Sequence, residues 1–342
     1  MQKKLIALAV AGLVSGGAFA QSNVTIFGVV DVAVESGKYS DAAGNLTRMV
    51  NGGNTTNRLG FRGTEDLGNG MAANFLLETQ ANPDNGTQAG AQFWNRGATV
   101  GISSKSWGSL NLGRQYTPWF HATAANDIFY VAGAGSSYTL FAGNTRMNNS
   151  IRWDSNSMSG FTASVMYGLG QDADATGAEG TTSTTKKLGR DVSLKLSYAN
   201  GPMSVNYGYD SYTSAVTPAE IDTKRNQLNG SYDLKVVKLG LAWGTNKATG
   251  TLDNSLWSMT AVVPVGNDIV KIGYTKLDDK LAANADAKLL AIGYEHPMSK
   301  RTNLYATYAK MDNNATATRT FGAAVAAGFD PTAWQFGVRH SF

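Results

Sequence analysis

Arginine recurs at alternate positions of one short stretch of the sequence, where it could act on anions. Within Asn57–Gly70, Arg58 and Arg62 fall on one face of an extended chain, whereas Leu59 and Phe61 fall on the other. The guanidinium group stays charged at physiological pH, and its planar fork suits carboxylates and phosphates. The chemistry that these residues offer is therefore electrostatic attraction, which needs no bond to be made or broken.

Residue patterns for catalysis do not occur in the sequence. His121, His296 and His340 are far apart, and there is no Gly-x-Ser-x-Gly, His-Glu-x-x-His or P-loop pattern. An enzyme is therefore a poor alternative, and neither a metal nor a cofactor is expected. The 29 basic residues exceed the 25 acidic ones only slightly and are scattered singly, so nucleic acid is not an expected partner.

The first twenty residues predict export. Lys3 and Lys4 precede a short apolar run that ends in an Ala-x-Ala pattern at Ala20, which is typical of a secretory signal peptide. An N-terminal membrane anchor is the less favoured alternative, because the run is shorter than the ~20 residues that a spanning helix needs. No linker divides the rest of the chain, so we expect a cleaved signal peptide at residues 1–20 and a single domain at residues 21–342. With no cysteine, this exported domain has to be stable without disulfide bonds.

Apolar and polar side chains alternate with a period of two along the whole domain, in segments of about ten residues. In the first segment, for example, Val24 and Ile26 share one face, opposite Thr25 and Asp31. Seven short turns and eight longer polar loops separate the segments. The pattern predicts sixteen antiparallel strands, with both chain ends on the side of the short turns.

An even strand number, short turns at one end, long loops at the other and aromatic residues near strand ends are features of outer-membrane barrels. A closed sheet also satisfies every backbone polar group in lipid. The alternative, a soluble β-sandwich, would be unusually large with this many strands. The predicted fold class is therefore all-β: a transmembrane antiparallel β-barrel of 16 strands. A barrel of about that size encloses an aqueous channel, so the arginine face looks into water.

The longest loop, between Gln115 and Asn149, is rich in aromatic residues and glycine and has a short helical pattern near residues 121–128. Such a loop would be costly in open water, and irregular backbone is tolerated at membrane depth where it lines a water-filled cavity. We expect it to fold into the lumen and constrict the channel, with Asp127 facing the arginines; the alternative is an external loop that packs on its neighbours.

Strand parity assigns charged residues to the lumen. Arg96 is the exception, because the same parity would also turn Val100 and Ile102 inward, so either a bulge intervenes or something apolar packs inside. Some arginines could instead brace the wall by pairing with acids. The predicted constriction residues are Arg58, Arg62, Arg96, Arg152, Glu78 and Asp127, with Arg114 and Lys195 as further lumen cations and Tyr116, Pro118, Trp119 and Phe120 in the constricting loop.

The stretch Asn57–Glu78 resembles the signature hairpin of the neisserial-type general porins of Gram-negative outer membranes. Trp94–Arg96, Leu112–Pro118 and Phe336–Phe342 agree with that family as well. The resemblance implies a homotrimer of 16-stranded barrels, a third loop folded into each pore, and insertion guided by the C-terminal strand that ends in Phe342. It also implies a ladder of lumen arginines at Arg58, Arg96 and Arg152, with Glu78 opposite.

One departure from related porins concerns the third loop. The Pro-Glu-Phe-Gly-Gly motif of enteric porins is absent, and Pro118-Trp119-Phe120 stands near its place, which leaves the acidic contribution of the loop open. The predicted function is an outer-membrane general diffusion porin for ions and small hydrophilic solutes, with a preference for anions. The alternative is a substrate-specific channel with a binding site at the constriction. Expected partners are further copies of the chain, outer-membrane lipid and lipopolysaccharide, and the solutes themselves.

Overall fold

The computed structural model describes residues 23–42, 44–170, 189–216 and 219–342. The predicted signal peptide at residues 1–20 lies outside these ranges. No helix in the described part of the chain is long and apolar enough to cross a membrane.

The described residues form mainly long antiparallel strands. In chain order they are β1 (Asn23–Lys38), β2 (Asn45–Asn51), β3 (Arg58–Gly68), β4 (Met71–Thr79), β5 (Ala81–Asn82), β6 (Thr87–Gln88), β7 (Gly97–Ser104), β8 (Gly108–Tyr116), β9 (Arg146–Asp154) and β10 (Phe161–Leu169). They continue with β11 (Arg190–Asn200), β12 (Met203–Val216), β13 (Ala219–Asp233), β14 (Lys238–Ala248), β15 (Leu252–Val265), β16 (Asp268–Asp279), β17 (Ala287–Pro297), β18 (Thr302–Asn313) and β19 (Thr332–Ser341). A short helix, α1 (Pro118–Ala124), and a 3-10 turn (Ser137–Thr139) lie between β8 and β9.

Seventeen of the strands form one sheet, but β2 and β3 are two halves of a single barrel strand. Both pair with β1, which holds β2 along Val32–Lys38 and β3 along Asn23–Val29. β5 and β6 form a separate small ribbon. The prediction of a closed 16-stranded antiparallel barrel is therefore confirmed. One long polar segment that was expected to be a loop, residues 36–55, contains β2.

The barrel closes where the first and last strands meet. β1 and β19 pair from Val29 with Ser341 to Lys38 with Thr332. At the rim, Gly28 and Phe342 exchange two backbone hydrogen bonds of 3.1 Å. The ring of Phe342 lies directly over Gly28, where any Cβ would clash with it. The last residue thus completes the ladder and leaves neither edge strand unpaired at this point.

The two faces of the wall differ as the alternation predicts. Val24 and Ile26 are 61% and 60% exposed on the outer face, whereas Asp31 and Glu35 are fully buried on the inner face. In an ordinary soluble sheet this arrangement would be unfavourable. In a membrane barrel the exposed apolar side chains contact lipid and the inner polar ones contact water or one another.

The break between β2 and β3 is organised around Asp31. Its carboxylate accepts hydrogen bonds from the backbone N–H of Asn54 and Thr55 at 3.1 and 2.6 Å, and from the Tyr305 hydroxyl. Asn57 adds two hydrogen bonds to the backbone of Asp31. The chain therefore leaves the ladder at Gly52 and rejoins it at Arg58, which fixes Arg58 at the start of a strand beside the channel.

The third loop lies inside the barrel, as expected. Trp119, Phe129 and Phe141 pack with Leu256, Leu277 and other residues of the barrel wall in one buried cluster. The prediction that the long third loop folds into the lumen is thereby confirmed. The helix begins at Pro118 rather than near residue 121, because Thr117 caps it through a 3.1 Å bond from the Phe120 N–H and proline fits the first turn.

Direct contacts hold the loop against the wall. The Trp119 N–H donates to Ser193 Oγ at 3.0 Å, and the Asn229 side chain donates to the Ala122 carbonyl at 2.7 Å. Gly208 faces this helix so closely that an added Cβ would lie 2.7 Å from the Ala122 Cβ. At the other end of the loop, Gly133 has a φ of +64° and lies against the Gly53 carbonyl, so the loop also rests on the break in the wall. The loop is thus a fixed part of the channel.

Candidate constriction site

Three arginines line one cavity beside the third loop, which we call the arginine cavity. Arg58 opens β3, Arg96 directly precedes β7 and Arg146 opens β9, so each stands where a strand starts and its backbone is fixed by the barrel. The cavity has a volume of about 380 Å³. Among the described residues, none that lines it is acidic. The remaining lining residues are Thr56, Gln80, Tyr116, Phe120, His121, Ala124, Tyr130, Val131, Tyr138 and Thr145.

Arg96 and Glu78 form a buried ion pair behind this cavity. The side chains of Arg96 and Glu78 are 4% and 9% exposed, and Arg96 Nε donates to the Glu78 carboxylate. The Arg96 N–H also donates to the Glu78 carbonyl at 3.1 Å. Glu78 therefore compensates one guanidinium from outside the cavity, as a bracing pair does.

Tyr116 joins two of the arginines. Both Arg96 Nη2 and Arg146 Nη2 donate to its hydroxyl. The guanidinium carbon of Arg146 lies 4.0 Å from the centroid of the Tyr116 ring, and Arg146 Nε donates to the Arg96 carbonyl at 2.9 Å. Hydrogen bonding and the cation–π contact hold the two like charges together and fix their orientation.

Arg58 is the least restrained of the three. It is half-buried, and its Nε donates to the Thr56 carbonyl at 3.2 Å. Within the described ranges, no carboxylate pairs with it at salt-bridge distance. Arg339 faces the same side from β19, since Arg58 pairs with Val29 and Arg339 with Asp31 on β1 between them. The basic surface thus continues around the wall.

Arg96 lies outside the regular part of its strand. β7 begins only at Gly97, so Arg96 lies in the irregular segment before the strand and does not follow its parity. Val100 and Ile102 face outward and are 60% and 44% exposed. Neither a bulge within β7 nor an apolar filling of the lumen is needed.

The other predicted lumen cations are spread along the wall. Arg152 donates to Asp154 Oδ1 at 2.9 and 2.7 Å and to the Tyr116 carbonyl at 3.2 Å. Lys195 pairs in register with Ser164 on the inner face. Arg62 is exposed, and its guanidinium carbon lies 5.1 Å from the centroid of the Phe27 ring. Lys195 and Arg62 extend the basic surface without lining the same cavity, whereas Arg152 is ion-paired with Asp154 and braces the wall.

Arg114 has a different environment from the cluster. Its Nε donates to the Asn95 carbonyl at 2.8 Å, and its Nη1 donates to Asn148 Oδ1 at 2.5 Å. The register between β8 and β9 shifts next to it, between Gly113 and Gln115. Arg114 ties together segments of the wall and does not line the cavity.

Asp127 is directed into the loop itself. Its carboxylate accepts hydrogen bonds from the Ser136 and Ser137 hydroxyls at 2.7 and 2.9 Å and from the Phe129 and Tyr138 N–H groups at 2.9 and 3.3 Å. Four donors consume its acceptor capacity, and the residue is 7% exposed. Asp127 does not line the arginine cavity; it stabilises the fold of the loop.

The predicted loop residues divide between the wall and the cavity. Pro118 and Trp119 are buried against the wall, whereas Tyr116 and Phe120 stack on each other at the cavity with ring centroids 4.8 Å apart. Next to them, burial and the nearby charges of Arg152, Lys195 and Arg146 lower the pKa of His121 to about 3. Its imidazole is therefore neutral and adds no charge to the cavity.

Among the charged residues that line the cavity, the sequence analysis missed Arg146. Arg146 shares the parity that assigned Arg152 to the lumen, but the predicted strand began only after Asn149. Arg146 lies four residues before Ser150 and beyond a shift in the β8–β9 register, so alternation alone does not place it. Tyr130 is one of the loop aromatics that a substrate-specific channel could use, but loop packing was the favoured interpretation, because the sequence does not show which ring faces the cavity.

Comparisons with known proteins agree on one class of protein. Residues 7–316 match the profile of a family described as Gram-negative porin. The chain is 33% identical to outer membrane porin protein 32 of Delftia acidovorans, over the full length of both chains. It is 26% identical to the major outer membrane protein P.IB of Neisseria lactamica, again over the full length of both. An anion-selective porin from Comamonas acidovorans superimposes with a TM-score of 0.84 at 30% identity, covering 94% of this chain and 100% of that one.

Proposed function

The chain belongs to the Gram-negative porin family, and from that premise we propose that its channel prefers anions to cations. The protein is an outer-membrane porin, a passive channel for ions and small hydrophilic solutes rather than an enzyme. The resemblance to neisserial-type porins, which Asn57–Glu78 carries, is confirmed by the same comparisons.

The observation that supports anion preference is the charge of the cavity beside the third loop. Arg58, Arg96 and Arg146 line it, and Glu78, behind Arg96, is the acid that offsets one of them. Basic groups in a narrow water-filled passage with a low-dielectric surround attract anions and repel cations. The solved relative described as an anion-selective porin supports the same proposal.

The arrangement favours passage over capture. Arg146 and Arg96 are held by Tyr116, so they present fixed donors to an ion without having to reorganise. Arg58, Lys195 and Arg62 continue the basic surface, so an anion can move from one site to the next, whereas Arg152 is compensated by Asp154. Several weak sites in succession allow entry without trapping.

The test is the zero-current potential of the purified protein in a planar lipid bilayer under a KCl gradient. The proposal requires a potential of the sign set by chloride. A potential set by potassium would refute the charge assignment, and the absence of any conductance would refute a channel of this kind.

We also propose that the chain forms a homotrimer in contact with outer-membrane lipid and lipopolysaccharide, after cleavage of the signal peptide following Ala20. The family resemblance supports this assembly. Native mass spectrometry of the detergent-extracted protein should give the mass of three mature chains beginning at Gln21. A monomeric mass, or an N-terminus other than Gln21, would contradict the corresponding part of the proposal.

A further inference from the structure

The cavity that carries the arginines also has an aromatic wall. Tyr116, Phe120, Tyr130 and Tyr138 line it together with the neutral imidazole of His121. Tyr116 and Phe120 stack with an interplanar angle of 11°, and the Tyr138 ring meets Phe120 edge-on at 5.6 Å. Tyr116 holds two of the arginines and Tyr138 is hydrogen-bonded within the loop, so among these rings Phe120 and Tyr130 are the ones that the charge site does not require.

The aromatic rings of the third loop differ in their exposure. Trp119 and Phe141 are 0% and 1% exposed and belong to the buried core that attaches the loop to the wall. Tyr130, by contrast, is 46% exposed although it belongs to the same loop. Packing of the loop therefore explains the first two and leaves Tyr130 unexplained.

The orientation of Tyr130 is fixed from behind. Lys271 Nζ lies 4.0 Å from the centroid of its ring, and Lys271 is itself ion-paired with Glu295 on the neighbouring strand. The lysine is 3% exposed, so this cation–π contact is shielded from water. The ring is thus held against the wall, and it lines both the arginine cavity and a neighbouring cavity that Lys271 also lines.

The backbone at this point is strained. Tyr130 and Val131 have φ angles of +56° and +57°, in the left-handed region that a β-branched valine rarely adopts. The Asp127 hydrogen bonds and the 3.1 Å bond from the Tyr130 N–H to the Asp127 carbonyl enforce this conformation. Strain that the surroundings maintain is concentrated at sites with a function. Here its structural result is that both side chains line the arginine cavity.

We propose that this cavity is a binding site for flat aromatic carboxylates, with the carboxylate on Arg58 and Arg146 and the ring against Tyr130 and Phe120. The inference rests on the proposed anion preference and adds selectivity among anions of equal charge. A carboxylate and a guanidinium form paired charge-assisted hydrogen bonds. Aromatic rings attract one another in offset-stacked or edge-to-face contacts beyond the effect of burial alone.

The size of the cavity is compatible with a single small ligand. Its volume of about 380 Å³ lies within the range of about 300–1,000 Å³ that is usual for such pockets. It opens to the channel, so the ligand can enter and leave without a conformational change. Weak, saturable binding is compatible with transport, because a weakly bound ligand can leave the site and continue through the channel.

The test compares benzoate with cyclohexanecarboxylate, which has the same charge and similar size but no aromatic ring. Each is added to channels in a planar bilayer at constant ionic strength, and the reduction of the chloride current is measured against concentration. We expect benzoate to reach half-block at a concentration at least fivefold lower than cyclohexanecarboxylate. Equal half-block concentrations would overturn the inference.

Variants separate the aromatic contribution from the charge. Tyr130→Leu should abolish the difference between the two acids, whereas Tyr130→Trp, which keeps a ring, should retain it. Phe93→Leu, at an exposed aromatic residue that does not line the cavity, is the matched control and should behave like the unaltered protein. If Tyr130→Leu keeps the full difference, or if Tyr130→Trp loses it, the assignment to Tyr130 is refuted.

The zero-current potential of the same channels in a KCl gradient distinguishes the proposed anion preference from the proposed aromatic carboxylate site. Anion preference in KCl together with equal block by both acids would refute the aromatic site and leave the anion-preferring channel intact. Cation preference in KCl would refute the proposed function itself.

Discussion

Replacing the partners of the Glu78–Arg96 pair should change stability and ion preference in different ways. Arg96→Gln leaves the Glu78 carboxylate, 9% exposed, without its cation. Breaking a buried pair by removing one partner costs roughly 3–5 kcal/mol, because an uncompensated charge stays buried. The double variant Glu78→Gln/Arg96→Gln leaves no charge behind and should recover most of that loss.

The effect on ion preference follows from Coulomb's law. At a distance of about 7 Å in water, one unit charge changes the energy of a monovalent ion by about 0.6 kcal/mol, with opposite signs for anion and cation. The difference between the two ions is about 1.2 kcal/mol, and screening at ~0.1 M salt, where the Debye length is ~10 Å, roughly halves it. Each arginine neutralised should therefore lower the anion-to-cation permeability ratio about threefold. Glu78→Gln should raise it by a similar factor.

Two assays on the same preparations test this reasoning. Urea unfolding in detergent micelles gives the stability, and zero-current potentials in a KCl gradient give the permeability ratio. We expect Arg96→Gln to be destabilised and less anion-preferring, and the double variant to have nearly the stability and the ratio of the unaltered protein. A double variant with the ratio of Arg96→Gln alone would show that summed charge does not set the selectivity.

Three further predictions concern the loop, the closure of the barrel and pH. Trp119→Ala, at a fully buried site, should release the third loop, so that added protease cleaves it while the barrel band survives on a cold SDS gel; an uncleaved loop would contradict the anchoring role. Phe342→Ala should lower the yield of folded barrel in vivo by removing the ring that covers Gly28, and an unchanged yield would refute an assembly role for that side chain. The His121 pKa is lowered from 6.5 to about 3, so protonation favours the unfolded loop: stability is full above pH 6.5 and is lost progressively as the pH falls toward 3. His121→Gln should remove this part of the pH dependence of loop cleavage, and an identical pH profile in the variant would contradict it.

The sequence predicts most of the barrel because polar and apolar residues alternate, with one face of each strand toward lipid and the other toward the water-filled lumen. Asp31 and Glu35 are buried inside and Val24 and Ile26 contact lipid, as a period of two requires. The same rule fails where the chain leaves the ladder. Arg96 stands one residue before its strand, so its direction is set by the irregular segment and by Glu78 rather than by strand parity.

The loop shows a second limit of sequence reasoning. Its aromatic composition is enough to predict that it folds inward, because such side chains are costly in water. The composition of the loop does not predict which of its polar groups form hydrogen bonds with other residues of the loop. Asp127 was expected opposite the arginines, but four donors of its own loop surround it. Contacts within an irregular loop depend on individual backbone angles, such as the positive φ values of Tyr130 and Val131. A periodic pattern of polar and apolar residues does not predict such angles.

The arginines beside the third loop are proposed to make the channel prefer anions. The most direct test is the zero-current potential in a KCl gradient for the unaltered protein and for Arg58→Gln/Arg146→Gln. These two residues were chosen because neither has a described carboxylate partner that would be left buried. We expect a chloride-determined potential in the unaltered protein and an anion-to-cation permeability ratio about tenfold lower in the double variant, because each lost charge lowers the ratio about threefold. A potential that is the same in both proteins would contradict it.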